Sequence, residues 1–143
     1  METKELKKAL ETLFSALPAQ PISEEPNGGM ERIDLTQEPD GRRWRELATA
    51  ALERAGAFEI HCWNGEEAQL ALALRYGTEQ ETGWSYGHVV AGTVTPAFRE
   101  MLLGQPKPED EGTQRKMTPF FNVFVDSLFS SSHYGTEVYI KKN

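Results

Sequence analysis

Along the chain, Leu6, Leu10, Leu13, Phe14 and Leu17 recur at helical spacing, which predicts a helix from about Thr3 to Leu17, closed by Pro18. Residues 18–39 are rich in Pro, Gly and Glu and read as a long, flexible connection with room for one short strand at Met30 to Leu35. A second apolar stripe, Trp44, Leu47, Ala48, Ala51, Leu52 and Ala55, predicts a helix that Asp40 caps and Gly56 ends. From Ala57 the period becomes two. Phe58, Ile60 and Cys62 face one way and Glu59, His61 and Trp63 the other, as in a strand.

After Asn64-Gly65, the residues Leu70, Leu72, Leu74 and Tyr76 alternate with Gln69, Ala71, Ala73 and Arg75, which predicts a hairpin partner for that strand. His88 to Thr95 adds a third strand to the meander. Thr95-Pro96 opens a short helix ending near Gly104. Thr118-Pro119 repeats the start signal before Phe120, Phe121, Phe124, Val125, Leu128 and Phe129, so a deeply buried helix is expected there, with Asn122, Asp126 and Ser130 as its thin polar stripe. Thr136, Val138 and Ile140 then alternate with Glu137, Tyr139 and Lys141 as a last strand. The expected order is α-α-β-β-β-α-α-β. That is an α+β domain in which a mostly antiparallel sheet of about four to five strands, a three-stranded meander plus the C-terminal strand, packs against four helices.

The 143 residues suit a single domain, 38% hydrophobic and 26% charged, able to bury a core without disulfides or metal. A formal charge of −7 argues against sequence-independent binding to nucleic acid and favours a basic partner. The first residues, METKELKKALETLF, match neither a signal nor a transit peptide, and no apolar stretch is long enough to span a membrane. With Cys62 as its single cysteine, the chain is expected in the cytoplasm.

Gly83-Trp84-Ser85-Tyr86-Gly87 spells G-x-S-x-G, and Asp126 and His133 follow in the order of a hydrolase triad. That motif needs a buried strand before the serine and a helix after it. Thr78 to Thr82 is polar throughout, and the β-branched, glycine-containing His88 to Thr95 favours a strand, so the stretch reads as a loop entering a strand. Gly83 and Gly87 then serve turn geometry. Cys62 and His61 are strand neighbours pointing to opposite faces and form no thiolate pair. His61, His88 and His133 occur in no metal-ligand spacing, and neither metal nor cofactor is expected.

With no catalytic set intact, the sequence favours a non-catalytic protein over an enzyme: a small acidic protein that binds and inhibits or sequesters a protein partner, as immunity proteins and antitoxins do. Trp84, Tyr86 and Trp63 are its candidate anchors, because Trp and Tyr dominate interface hot spots, and Glu109, Asp110 and Glu111 its candidate charged contacts. The alternative is a small-ligand domain or enzyme whose site assembles from His61, His88, His133, Asp126 and Ser85. The chain is expected as a monomer or as a homodimer joined at a strand edge, most simply that of the C-terminal strand.

Overall fold

A computed structural model describes residues 30–110 and 112–141. The expected first helix, most of the connection after it and Glu111 lie outside these residues. The elements are, in chain order, β1 (Met30–Asp34), α1 (Arg42–Leu52), β2 (Ala57–Trp63), α2 (Glu67–Leu74), β3 (Thr78–Gln80), β4 (Gly87–Thr93), α3 (Pro96–Gly104), β5 (Asn122–Val125), β6 (Phe129–Ser132) and β7 (Glu137–Lys141). All strands join one antiparallel sheet in the order β1-β7-β6-β5-β2-β4-β3. The expectation of four to five strands and four helices is thereby corrected: the described residues form seven strands and three helices, still a mixed α+β fold and mostly sheet.

Two segments account for most of the difference. Glu67 to Leu74 reads EAQLALAL, built only from strong helix formers with no β-branched residue, and this preference prevails over its alternation of Leu with other residues. It forms α2 rather than a hairpin strand, and β2 pairs instead with β4 and β5. The expected buried helix after Pro119 is a loop followed by the hairpin β5–β6. Its Val and Phe residues are strand formers, and Val123 and Val125 pair directly with Ile60 and Phe58. Asp126 makes the break between the two strands. With φ at +49° it turns the chain, and its carboxylate accepts hydrogen bonds from the backbone N–H of Gly56 (2.8 Å) and Ala57 (3.1 Å). The C-terminal strand is no edge either: β7 lies between β1 and β6, and the edges are β1 and β3.

Elsewhere the local signals hold. Thr95 Oγ1 accepts from the Phe98 N–H at 3.0 Å and starts α3 with Pro96 at its first turn. In α1 the stripe residues Trp44, Ala48, Ala51 and Leu52 are buried. They join Phe58, Ile60, Cys62, Val90, Val123, Val125, Phe129 and Val138 from one face of the sheet, with Phe98 and Leu102 of α3, in a single core. Phe58 stacks on Phe98 at 3.8 Å between ring centres, and the Trp44 indole N–H donates to Ser131 Oγ at 3.0 Å. Burying each such large side chain contributes about 1.5–3 kcal/mol. The buried residues of all three helices belong to this core, so the helices share one face. Among the described residues, no helix is long and apolar enough to cross a membrane.

The Asp126 turn can be tested by urea unfolding. Asp126→Asn, which keeps an acceptor and tolerates positive φ, should cost well under the penalty of Asp126→Val, which loses both bonds and puts a β-branched residue at φ +49°, a loss of about 2 kcal/mol or more.

Candidate functional site

Alternation along β2 sends Glu59, His61 and Trp63 to the face opposite the helices. Register continues that face through Phe124 and Asn122 of β5 and Val89 of β4. Aromatic rings from four chain segments meet there. Trp63 lies 5.1 Å from Trp84 and 4.9 Å from Phe121, and Phe121 lies 5.3 Å from Tyr134 and 5.9 Å from His133. His61 sits 5.0 Å from Phe124 and 6.1 Å from Trp84. The result is a belt of rings across the end of the sheet where β2 finishes.

Two devices hold the belt. Glu66, just before α2, accepts through one carboxylate oxygen from the Trp63 backbone N–H (2.8 Å) and through the other from the Tyr134 hydroxyl (2.8 Å). Tyr134 belongs to the turn joining β6 to β7, in which His133, Tyr134 and Gly135 all have positive φ (54°, 60° and 88°). Each non-glycine residue so placed costs on the order of 1–3 kcal/mol, offset here by the Tyr134 contacts and by Lys116, whose Nζ lies 4.3 Å above that ring. The second device is the G-x-S-x-G loop. Gly83, at φ +80°, makes the turn; Gly87 lets the Trp84 ring lie flat against the backbone, since a Cβ there would come within 2.5 Å of Trp84 Cη2 and collide with the Cys62 carbonyl. The Asn64 side chain fixes the tip by donating to the Ser85 carbonyl at 2.9 Å.

These positions decide what chemistry is within reach. Ser85 lies beyond the end of β2 and Asp126 against its start, so a seven-residue strand of about 20 Å separates them and no triad forms. The three histidines do not converge, each meeting its own carboxylate. His61, 1% exposed, places Nε2 2.6 Å from Glu59 and accepts at Nδ1 from the Asn122 amide at 3.2 Å. His88 pairs with Glu79 at 2.6 Å, and in register it stands opposite Cys62, on the other face from His61. His133 Nδ1 lies 3.6 Å from Glu137. Burial pushes the Cys62 thiol up to about 12, far from a thiolate at neutral pH. Among the described residues no three His, Cys, Asp or Glu side chains are grouped to hold a metal ion.

Of the sequence-predicted contact residues, Trp63 and Trp84 are brought together in the belt, with Trp84 only 6% exposed, folded back over the sheet. Tyr86, two residues on, is 46% exposed. Glu109 and Asp110 lie apart from them, in the loop after α3. Asp110 is engaged by Lys107 (2.9 Å) and Arg115 (3.0 Å), which with other contacts hold its carboxyl below the usual range, and Arg115 is tied to the Thr36 and Glu38 carbonyls beyond β1. Sequence reasoning missed Glu66, Phe121, Asn122, Phe124 and Tyr134. The i, i+2 spacing of His61 and Trp63 is a local sign of an aromatic face; the helical spacing of Phe120, Phe121 and Phe124 hides their alignment with it. Compared with known proteins, the chain matches no family model, no curated sequence and no solved structure.

Replacing Gly87 by Ala should displace the Trp84 ring, red-shift tryptophan emission and cost about 1–3 kcal/mol in chemical denaturation. Glu137 offers a pH test. Hydrogen bonds from His133 and from Arg32 (Nε 2.6 Å away) lower its carboxyl from 4.5 to about 2. A depressed folded value means the stabilisation is complete above about pH 4.5 and disappears as pH falls from there towards 2. The melting-temperature gap between the wild type and Glu137→Gln should therefore be present above about pH 4.5 and close as pH falls across that window.

Proposed function

We propose that the protein binds a basic protein partner through the acidic end of its sheet and masks it, without catalysis of its own. Charge carries this reading. Residues 57–93 hold Glu59, Glu66, Glu67, Glu79 and Glu81 against Arg75, a net −4 out of the chain's −7. They belong to β2, α2, β3 and β4 and the loops between them, which pack together at one edge of the sheet. Tyr86 stands on the loop leading into β4, and the Trp84 ring buried beside it keeps that loop in place. An exposed aromatic on a fixed loop gives contact area at small entropic cost. The surrounding carboxylates speed encounter with a cationic surface, an effect that salt weakens.

In this reading Tyr86 makes the contact, Trp84 and Trp63 support it, and Glu109 adds to the field from a distance. The alternative of a site assembled from His61, His88, His133, Asp126 and Ser85 loses force because these side chains are dispersed over both faces and both ends of β2.

The test is affinity capture from a lysate of the source organism with wild-type, Tyr86→Ala and Glu79→Lys/Glu81→Lys baits, followed by binding measurements on the purified partner. The expected result is one basic protein held stoichiometrically by the wild type, about tenfold or more weaker binding for each variant at unchanged melting temperature, and a wild-type affinity that falls with salt. Equal retention by all three baits, or no basic protein at all, would overturn the proposal.

A further inference from the structure

Helix α2 differs from the other two in what it shows to water. Of its residues Ala73 alone is fully buried, while Leu70 and Leu72 pack half-buried against the core. Its exposed positions are Glu67, Ala68, Ala71 and Leu74, followed by Arg75 just past the last turn. Lying one, four, seven and eight residues after Glu67, they fall on a single helical face. A surface helix ordinarily turns charged side chains outward, as α1 does with Arg42, Arg43 and Glu46. From Ala68 to Leu74 the chain carries no charge, and Leu74 is 40% exposed. Isolated apolar residues at a surface need no explanation, but a continuous apolar strip flanked by Leu70 and Leu72 marks a surface for another molecule.

We propose that its occupant is the α2 of a second copy, laid antiparallel across a two-fold axis at Ala71. The charges select this arrangement. Glu67 opens the strip and Arg75 closes it, and among the described residues neither has an ion-pair partner. Contacts about a two-fold axis are reciprocal, so setting Ala71 against its own copy puts Glu67 opposite Arg75 of the second copy, and Arg75 opposite its Glu67. The same register sets Leu74 over Ala68 of the second copy, large side chain against small, at both ends of the strip. At the centre the two alanines let the helix axes approach to about 8 Å, the short end of the usual range. A parallel pairing would instead set like charges together. A purely cationic surface would meet Arg75 as readily as Glu67, so the strip suits a copy of itself better than the basic partner proposed above, and the inference does not depend on that reading.

The size of the strip sets the strength of the pairing. An eight-residue helix is about 12 Å long and buries less than the roughly 800 Å² per copy of a stable interface. Two chains of net −7 also repel each other. The dimer is therefore weak, with a dissociation constant on the order of 10–100 µM.

Sedimentation equilibrium on the purified full chain, in about 0.15 M salt to screen the long-range repulsion, tests this without any partner. The wild type should exchange between monomer and dimer over about 10–500 µM. Glu67→Arg brings two cations together at both ends of the strip and Arg75→Glu two carboxylates, so each variant alone should associate about tenfold or more weakly. Both positions are exposed, and unchanged melting temperatures will show that each variant is folded. Mixed in equal amounts, the two variants are complementary again at both ends, and the mixture should recover the wild-type dimer. A wild type that stays monomeric at about 500 µM would overturn the proposal and leave the strip to a different protein. Single variants that associate like the wild type, or folded variants whose mixture stays monomeric, would overturn it as well.

Discussion

The seven residues of β2 lie inside the sheet, paired with β4 on one side and β5 on the other, and both of their faces carry large side chains that are buried or half-buried. Phe58, Ile60 and Cys62 find cover under α1 and α3 with the remainder of the core. Glu59, His61 and Trp63 face the other way, where His61 and Trp63 meet the rings of Trp84, Phe121 and Phe124. A histidine 1% exposed would be costly among rings, yet Glu59 and Asn122 each meet one of its nitrogens, so the polar group is buried with partners.

The aromatic belt is assembled from segments far apart in the chain, and the devices holding it are polar. Glu66 joins the end of β2 to the β6–β7 turn, and that turn keeps its left-handed residues because Tyr134 is locked between Glu66, Phe121 and Lys116. The loop before β4 is fastened by Trp84 against Gly87 and by Asn64. At the other end of β2, Asp126 performs a simpler task, tying the β5–β6 turn to the entry of the strand. One end of β2 is therefore tied to the β5–β6 turn, and the other adjoins a loop held by the Trp84 and Asn64 contacts.

Each histidine meets a separate carboxylate and the one cysteine is buried with its thiol pushed up, so the titratable groups support the fold locally rather than converge. What is concentrated instead is negative charge, on the strands and helix around an exposed tyrosine. In the proposed reading, such an arrangement would steer and anchor a cationic partner, and both effects improve when the anchor is held in advance.

Much of this architecture was written locally. The stripe of α1, the alternation of β2, the Thr95-Pro96 start of α3 and the alternation of β7 are each decided by neighbours a few residues apart, and the sequence by itself determined them. The α2 segment was legible too, in its composition rather than its period, because Leu alternating with other residues resembles a strand while Glu, Ala, Gln and Leu prefer a helix. Residues 119–132 could not be read in this way. Phe and Val at those positions satisfy a helical stripe and a pair of short strands equally, and the choice fell to Val123 and Val125 pairing with Ile60 and Phe58, more than sixty residues away. The same holds for the site: His61 and Trp63 are visible as a pair, but their meeting with Trp84, Phe121, Glu66 and Tyr134 depends on strand order. Strand order is set by which surfaces bury one another once the chain has folded, a competition among distant segments that no local pattern records.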